Sequence, residues 1–287
     1  MFEVEHFLVV GNKLGEGPLW HAGERALYWV DIEGHCFHRY FPETGTRETF
    51  QIGQAVGCLA FRASGGLVLA LQEGLGFWDF ESQTFQLVKN PEEDRQNARF
   101  NDGRVDRKGR FWVGTLGEDA ESSLYRLDLD GSVRTMETGI TISNGIGWSP
   151  DDHTMYYTDS PLRVIYAYDF DPASGLIKNR RPFVQVPEGE GFPDGLCVDG
   201  EGFIWSAHWD GWRITRYDPD GKVERVILLP VQRPTSCAFG GPELNQLYIT
   251  SAWTGLSEED RREQPLAGDL LRIQTDVTGQ QENEYQG

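Results

Sequence analysis

Six segments spaced about forty residues apart share one layout in this chain, and that period limits its possible folds more than any other feature. They read EGPLWHAGERALYWVD from Glu16, GCLAFRASGGLVLAL from Gly57, NDGRVDRKGRFWVGT from Asn101, NGIGWSPDDHTMYYTD from Asn144, DGLCVDGEGFIWSAH from Asp194 and TSCAFGGPELNQLYIT from Thr235. The starts lie 41, 44, 43, 50 and 41 residues apart. Four positions after each start stands an apolar residue (Trp20, Phe61, Val105, Trp148, Val198, Phe239), and a turn cluster and a β-rich run follow. Between the copies, HRYFPETGTRE, YRLDLDGSVR, YAYDFDPASGLIK and TRYDPDGKVER each pair an aromatic strand with an Asp, Pro or Gly turn and a second strand. Gly and Asp tolerate the positive φ of tight hairpins, so each unit carries about four short strands.

Six such units, each able to bury its faces only against its neighbours, predict an all-β, six-bladed β-propeller. The strand-like EVEHFLVV before the first copy is expected to close the ring as the outer strand of the last blade. Residues 1–287 then form one propeller domain, with a polar and loose tail from about Thr275. Glu258 to Glu263 is the one helical turn expected.

The starting position carries the chemistry. The first strand of a propeller blade lines the central channel, so equivalent residues converge on the axis. Read round the ring, that position is Glu16, Gly57, Asn101, Asn144, Asp194 and Thr235. A lone Asn-Gly or Asp-Gly reads as a turn, but four oxygen-bearing side chains in one register read as a site. Two carboxylates near a dry axis need a cation or protons. An all-oxygen set without Cys or His favours Ca²⁺, Mg²⁺ or Mn²⁺, with Zn²⁺ also compatible. Arg99, two residues before Asn101, belongs on the rim of the same channel, as a cation for hydroxyls or an oxyanion or as a surface ion pair. Glu118, Asp119 and His208 fall near the mouth, where each taken alone reads as an ordinary loop residue rather than a catalytic one, and Trp209 and Trp212 either stack on a ligand or cap a blade.

Charge and cysteine usage exclude several classes. A net charge of −19 repels nucleic acid and anionic membranes. No apolar run approaches the ~20 residues of a membrane span. MFEVEHFLVV lacks the basic start and apolar core of a signal peptide, and the four cysteines form no CxxC pair, so a cytoplasmic protein with reduced, buried thiols is expected, a disulfide pair being the alternative. The chain has no G-x-S-x-G, H-E-x-x-H, P-loop or dinucleotide fingerprint. RLDLDGSVRTME and RYDPDGKVERVI imitate a calcium loop but begin with Arg126 and Arg216, so both are hairpins.

LGEGPLW at 14–20, RFNDGRVDRKGRFWVGT at 99–115, SNGIGWSPDDHTMYYTDS at 143–160 and FPDGLCVDGEGFIWSAHW at 192–209 together resemble the SMP-30/gluconolactonase family, which includes regucalcin and bacterial sugar lactonases. The resemblance spans roughly 14 to 275. It implies a propeller with one divalent metal on the axis, calcium first among the candidates. Metal ligands would be Glu16, Asn144 and Asp194, and substrate would meet Arg99, Asn101 and either Glu118 or Asp119. It further implies hydrolysis of a sugar lactone to the aldonic acid, the metal as Lewis acid and Asp194 as general base. Two rivals share these residues: an aryl-ester or organophosphate hydrolase, and a non-enzymatic calcium-binding regulatory protein. The sequence sets no oligomeric state.

Overall fold

The computed structural model describes residues 2–95, 98–117 and 121–287. These fold into six four-stranded antiparallel sheets, and the inner strands contact one another in sequence all the way round. The inner strands are Gly15–His21, Val56–Phe61, Arg99–Val105, Ser143–Trp148, Phe192–Val198 and Pro234–Gly240. The expected six-bladed propeller is what the chain forms. The last sheet runs Pro234–Gly240, Gln246–Ser251, Leu270–Gln274, then Val4–Leu8 outermost, so the N-terminal strand closes the ring as expected. Glu258–Glu263 is a short helix with a Ser257 capping box.

Burial explains the layering. Second strands such as Leu67–Leu71 are buried at every residue, because both of their faces meet neighbouring blades. Outer strands such as Thr46–Gln51 alternate exposed and half-buried residues, with one face in water. Trp29, Trp112 and Trp205 are wholly buried between sheets. All four cysteines are buried and unbridged; Cys197 Sγ and Cys237 Sγ lie 3.7 Å apart on adjacent inner strands.

The phrase Val-Asp-x-x-Gly-x-apolar-Trp, with Phe111 or Ile204 before the tryptophan, occurs in blades 3 and 5 for a structural reason. Asp106 accepts the backbone N–H groups of Lys108 and Arg110, the Arg110 Nε–H and, at 2.9 Å, the Trp112 indole N–H. Asp199 accepts the N–H groups of Glu201 and Phe203, the Trp205 indole N–H at 2.9 Å and the Arg216 guanidinium. Each buried carboxylate therefore pins a hairpin turn to the tryptophan behind it. The donors satisfy the lone pairs that burial would otherwise leave unpaired.

The glycines that directly follow two of the repeat starts do not form turns. Gly145 and Gly195, which follow Asn144 and Asp194, lie inside strands and have no positive φ. A Cβ on Gly145 would stand 2.7 Å from the Asp194 carbonyl oxygen, and one on Gly195 would stand 2.1 Å from Ser236 Oγ. Glycine is required there because the next blade's inner strand passes too close for any side chain.

The polar tail from Thr275 is docked, not loose. Gly279 N–H donates to Leu244 O, Gly200 N–H to Thr278 O, and Gln280 Nε2 to Trp148 O and Val198 O. Asn283 Nδ2 donates to Val105 O. Tyr285 exchanges backbone bonds with Phe61 and Ala63, its ring is buried, and its hydroxyl donates to Asp128 O. The segment thus crosses blades 6, 5, 4, 3 and 2 at the far ends of their inner strands. Unpaired carbonyls at those ends supply acceptors that a polar sequence can satisfy.

Candidate functional site

In every blade the inner strand breaks register with its neighbour at the repeat's starting position. The breaks fall between Glu16 and Leu19, Val56 and Cys58, Phe100 and Gly103, Asn144 and Ile146, Pro193 and Leu196, and Pro234 and Ser236. A bulge redirects a side chain out of the alternation that would bury it between sheets. Here it sends Glu16, Asn101, Asn144 and Asp194 into the channel. The two remaining starts do not reach it. At Gly57 a Cβ would stand 2.4 Å from the Phe100 carbonyl oxygen, and the buried Thr235 hydroxyl donates to Gly15 O at 2.5 Å.

Glu16, Arg99, Asn101, Asn144 and Asp194 line one cavity of about 420 Å³ at the upper mouth. Its walls are apolar: Leu14, Leu116, Ile142, Pro161, Phe192 and Trp209. The rings of Phe192 and Trp209 are held by the guanidiniums of Arg163 and Arg233, 4.6 and 4.7 Å from their centroids. The carboxamides form a fixed chain. Arg99 Nη1 donates to Asn101 Oδ1 at 2.7 Å, and Asn101 Nδ2 donates to Ser143 O at 2.8 Å and Asn144 Oδ1 at 3.2 Å. Asn144 Nδ2 donates to Ser160 Oγ at 2.9 Å, which leaves its Oδ1 turned toward the axis. Arg99 therefore lines the cavity, and among the described residues it forms no ion pair.

Glu16 and Asp194 are 6% and 5% exposed. Glu16 accepts a bond from the backbone N–H of Gly17 at 2.9 Å, and the backbone N–H of Gly195 lies near Asp194. Among the described residues neither forms an ion pair within 4 Å. Burial, then the nearby Asp102 charge, pushes Glu16 up to about 8. Burial, then Glu16 itself, raises Asp194 well above the ordinary carboxylate range. Arg99, desolvated, is lowered from its usual value. Two buried carboxylates short of positive charge, beside an amide oxygen, fit a hard divalent cation. Among the described residues no three His, Cys, Asp or Glu side chains converge, so the donor set is two carboxylates plus carboxamide oxygen.

These shifts give a signed pH dependence. A carboxylate whose folded pKa lies above its unfolded value makes the native state bind extra protons. Its contribution to stability is complete below the ordinary Glu value of 4.5 and is lost as pH rises through about 8. Metal-free protein should therefore lose melting temperature between about pH 5 and 8, whereas cation-saturated protein, with both carboxylates held charged, should lose much less. Parallel melting curves for chelated and cation-loaded protein across that window would refute this electrostatic picture.

Other expected site residues fare differently. Glu118 and Asp119 lie outside the described residues. His208 is wholly buried, its ring bonded to Glu190 O at 2.8 Å and the Tyr217 hydroxyl at 3.2 Å, and burial pushes it down to about 4. It is a neutral packing residue. Trp209 lines the cavity, while Trp212 is 40% exposed and outside it. Ser160, Asp102 and the apolar walls other than Trp209 escaped sequence reading. Asp102 directly follows Asn101, but only the break in strand register shows that both neighbours face the axis.

The SMP-30/Gluconolactonase/LRE-like region matches residues 14–253. Regucalcin of Xenopus laevis is 38% identical over 91% of this chain and 90% of its own length. Pentonolactonase XacC of Haloferax volcanii is 38% identical over 94% of each chain. The solved structure of regucalcin from Agrobacterium tumefaciens, described as a calcium-binding protein, superposes with a TM-score of 0.93 at 28% identity, covering 97% of this chain and 95% of that one. Among the described residues no helix is long and apolar enough to cross a membrane.

Proposed function

This chain belongs to the SMP-30/gluconolactonase family, and on that premise we propose that it hydrolyses a sugar lactone to its aldonic acid with the help of one divalent cation, calcium first among the candidates. The observation that carries the reading is the convergence of Glu16, Arg99, Asn101, Asn144 and Asp194 on one cavity. Glu16, Asp194 and Asn144 Oδ1 would hold the cation. When bound, it supplies Lewis-acid polarisation of the lactone carbonyl.

The remaining chemistry belongs to the chain. Asp194 takes a proton from water as the water oxygen bonds to the carbonyl carbon. The ring C–O bond then breaks, and the departing ring oxygen accepts that proton. Nearby positive charge must keep Asp194 ionised, since burial alone would leave it protonated. Arg99 offers fixed positive charge to the developing oxyanion or to ring hydroxyls. Asn101 spends both amide protons on Ser143 O and Asn144 Oδ1 and its oxygen on Arg99, so it orients both neighbours as well as bordering the substrate. Phe192, Trp209, Ile142 and Leu116 present an apolar surface for the C–H face of the sugar and exclude water.

The same apolar walls favour a second reading, an aryl-ester or phosphotriester hydrolase using the same cation. One panel separates these from a non-enzymatic cation-binding protein: pentono- and hexonolactones, an aryl ester and a phosphotriester, each with and without chelator, followed by acid release. We expect at least one aldonolactone to be turned over with kcat/KM of about 10⁴ M⁻¹s⁻¹ or more. Chelation should abolish this activity, and the other substrates should be at least about tenfold poorer. Cation binding with no turnover of any lactone would overturn the proposal.

A further inference from the structure

We infer that the docked C-terminal segment is a working part of the site, and that Glu282 sets cation affinity by balancing the charge of Arg104 beneath it. The inference rests on the cation reading above. Strand Arg99–Val105 runs down the channel, placing Arg99 and Asn101 in the upper cavity and Asp102 and Arg104 below them. A narrow space directly under the site is lined by Gly17, Asp102, Arg104 and Leu196, next to Glu16 and two residues from Asp194. Arg104 Nη1 donates to Leu196 O at 3.1 Å, and Nη2 pairs with Glu282 Oε1 at 3.1 Å. The Arg104 and Glu282 side chains are only 15% and 13% exposed. The lower cavity they share is closed by Gln280, Gln281 and Asn283 of the same segment.

The charges along this axis explain why the tail carries an acid there. Among the described residues four carboxylates (Glu16, Asp102, Asp194 and Glu282) face two guanidiniums (Arg99 and Arg104). The solvent-exposed Arg107 at the lower mouth is screened by water. The buried axis is thus short by two positive charges, the charge of one divalent cation. If Glu282 were neutral, Arg104 would face the cation with Asp102 as its remaining counter-charge, and the excess positive charge would act through a medium of low dielectric. Glu282 is therefore a positioning residue, supplied by a segment whose backbone and side chains are hydrogen-bonded to five blades.

The test is calorimetric titration of Ca²⁺ into chelator-stripped protein, with melting temperature as a folding control. Glu282→Gln should weaken Ca²⁺ binding by about three- to tenfold. Adding Arg104→Gln to that variant restores the charge balance and should return affinity to within about twofold of the wild type. Wild-type affinity in Glu282→Gln would overturn the inference, as would a double variant no better than the single one, since that pattern reports lost structure. Wild-type protein that binds no divalent cation would instead overturn the cation reading on which this depends.

Discussion

Asp194→Asn should lower lactone turnover by about three orders of magnitude while leaving the propeller folded. The substitution keeps the shape of the side chain and one potential ligand oxygen, but removes the only proton acceptor proposed for the attacking water. Its effect on the metal-free protein should have the opposite sign. Asp194 and Glu16 are buried together with no ion-pair partner among the described residues, and the Glu16 charge raises the Asp194 pKa. Removing one charge relieves that repulsion, so the melting temperature of chelated protein at about pH 8 should rise in the variant. An enzyme that keeps its turnover after this change would rule out Asp194 as the base. A variant that unfolds would contradict the charge argument.

Arg99→Met should lower kcat/KM by about a hundredfold, with most of the loss in kcat if the guanidinium meets the oxyanion and most of it in KM if it holds ring hydroxyls. Arg99→Lys should recover only part, because an ammonium cannot reproduce the planar donor that now bonds both Asn101 Oδ1 and Phe100 O. The rest of the carboxamide chain hangs from that contact, so some loss of cation affinity should accompany the kinetic defect. Unchanged lactone kinetics in Arg99→Met would remove Arg99 from the site.

How far these residues could be read before the fold was known differs case by case. The recurrence of an apolar residue four positions after each start made the blades legible, since every blade solves the same packing problem between two neighbours. Glu16, Asn101, Asn144 and Asp194 stood out because polar residues break that repeat in one register. His208 read as an ordinary loop residue near the mouth, and it is instead a buried strand residue, because a histidine at the end of a strand carries no mark of the Tyr217 and Glu190 contacts that bury it. The glycines after Asn144 and Asp194 looked like turn residues, yet their role depends on a strand some fifty residues away in one case and about forty in the other.

The amino-acid sequence alone determined the number of blades, the closing N-terminal strand and the four polar side chains destined for the axis, because these follow from local periodicity repeated six times. Tertiary structure decided the remainder. Only the assembled ring shows that a break in each inner strand's register turns those side chains into the channel. Only there does Asn101 tie Arg99 to Asn144. The C-terminal segment is the clearest instance: its composition is that of a solvated tail, and nothing local gives it a surface to pack on. It is held by carbonyls at the ends of inner strands from four blades, by a hairpin carbonyl of the sixth blade, and by Arg104, a partner 178 positions earlier in the chain. Contacts at such separations leave no periodic trace, so the floor of the site became visible only once the chain had closed on itself.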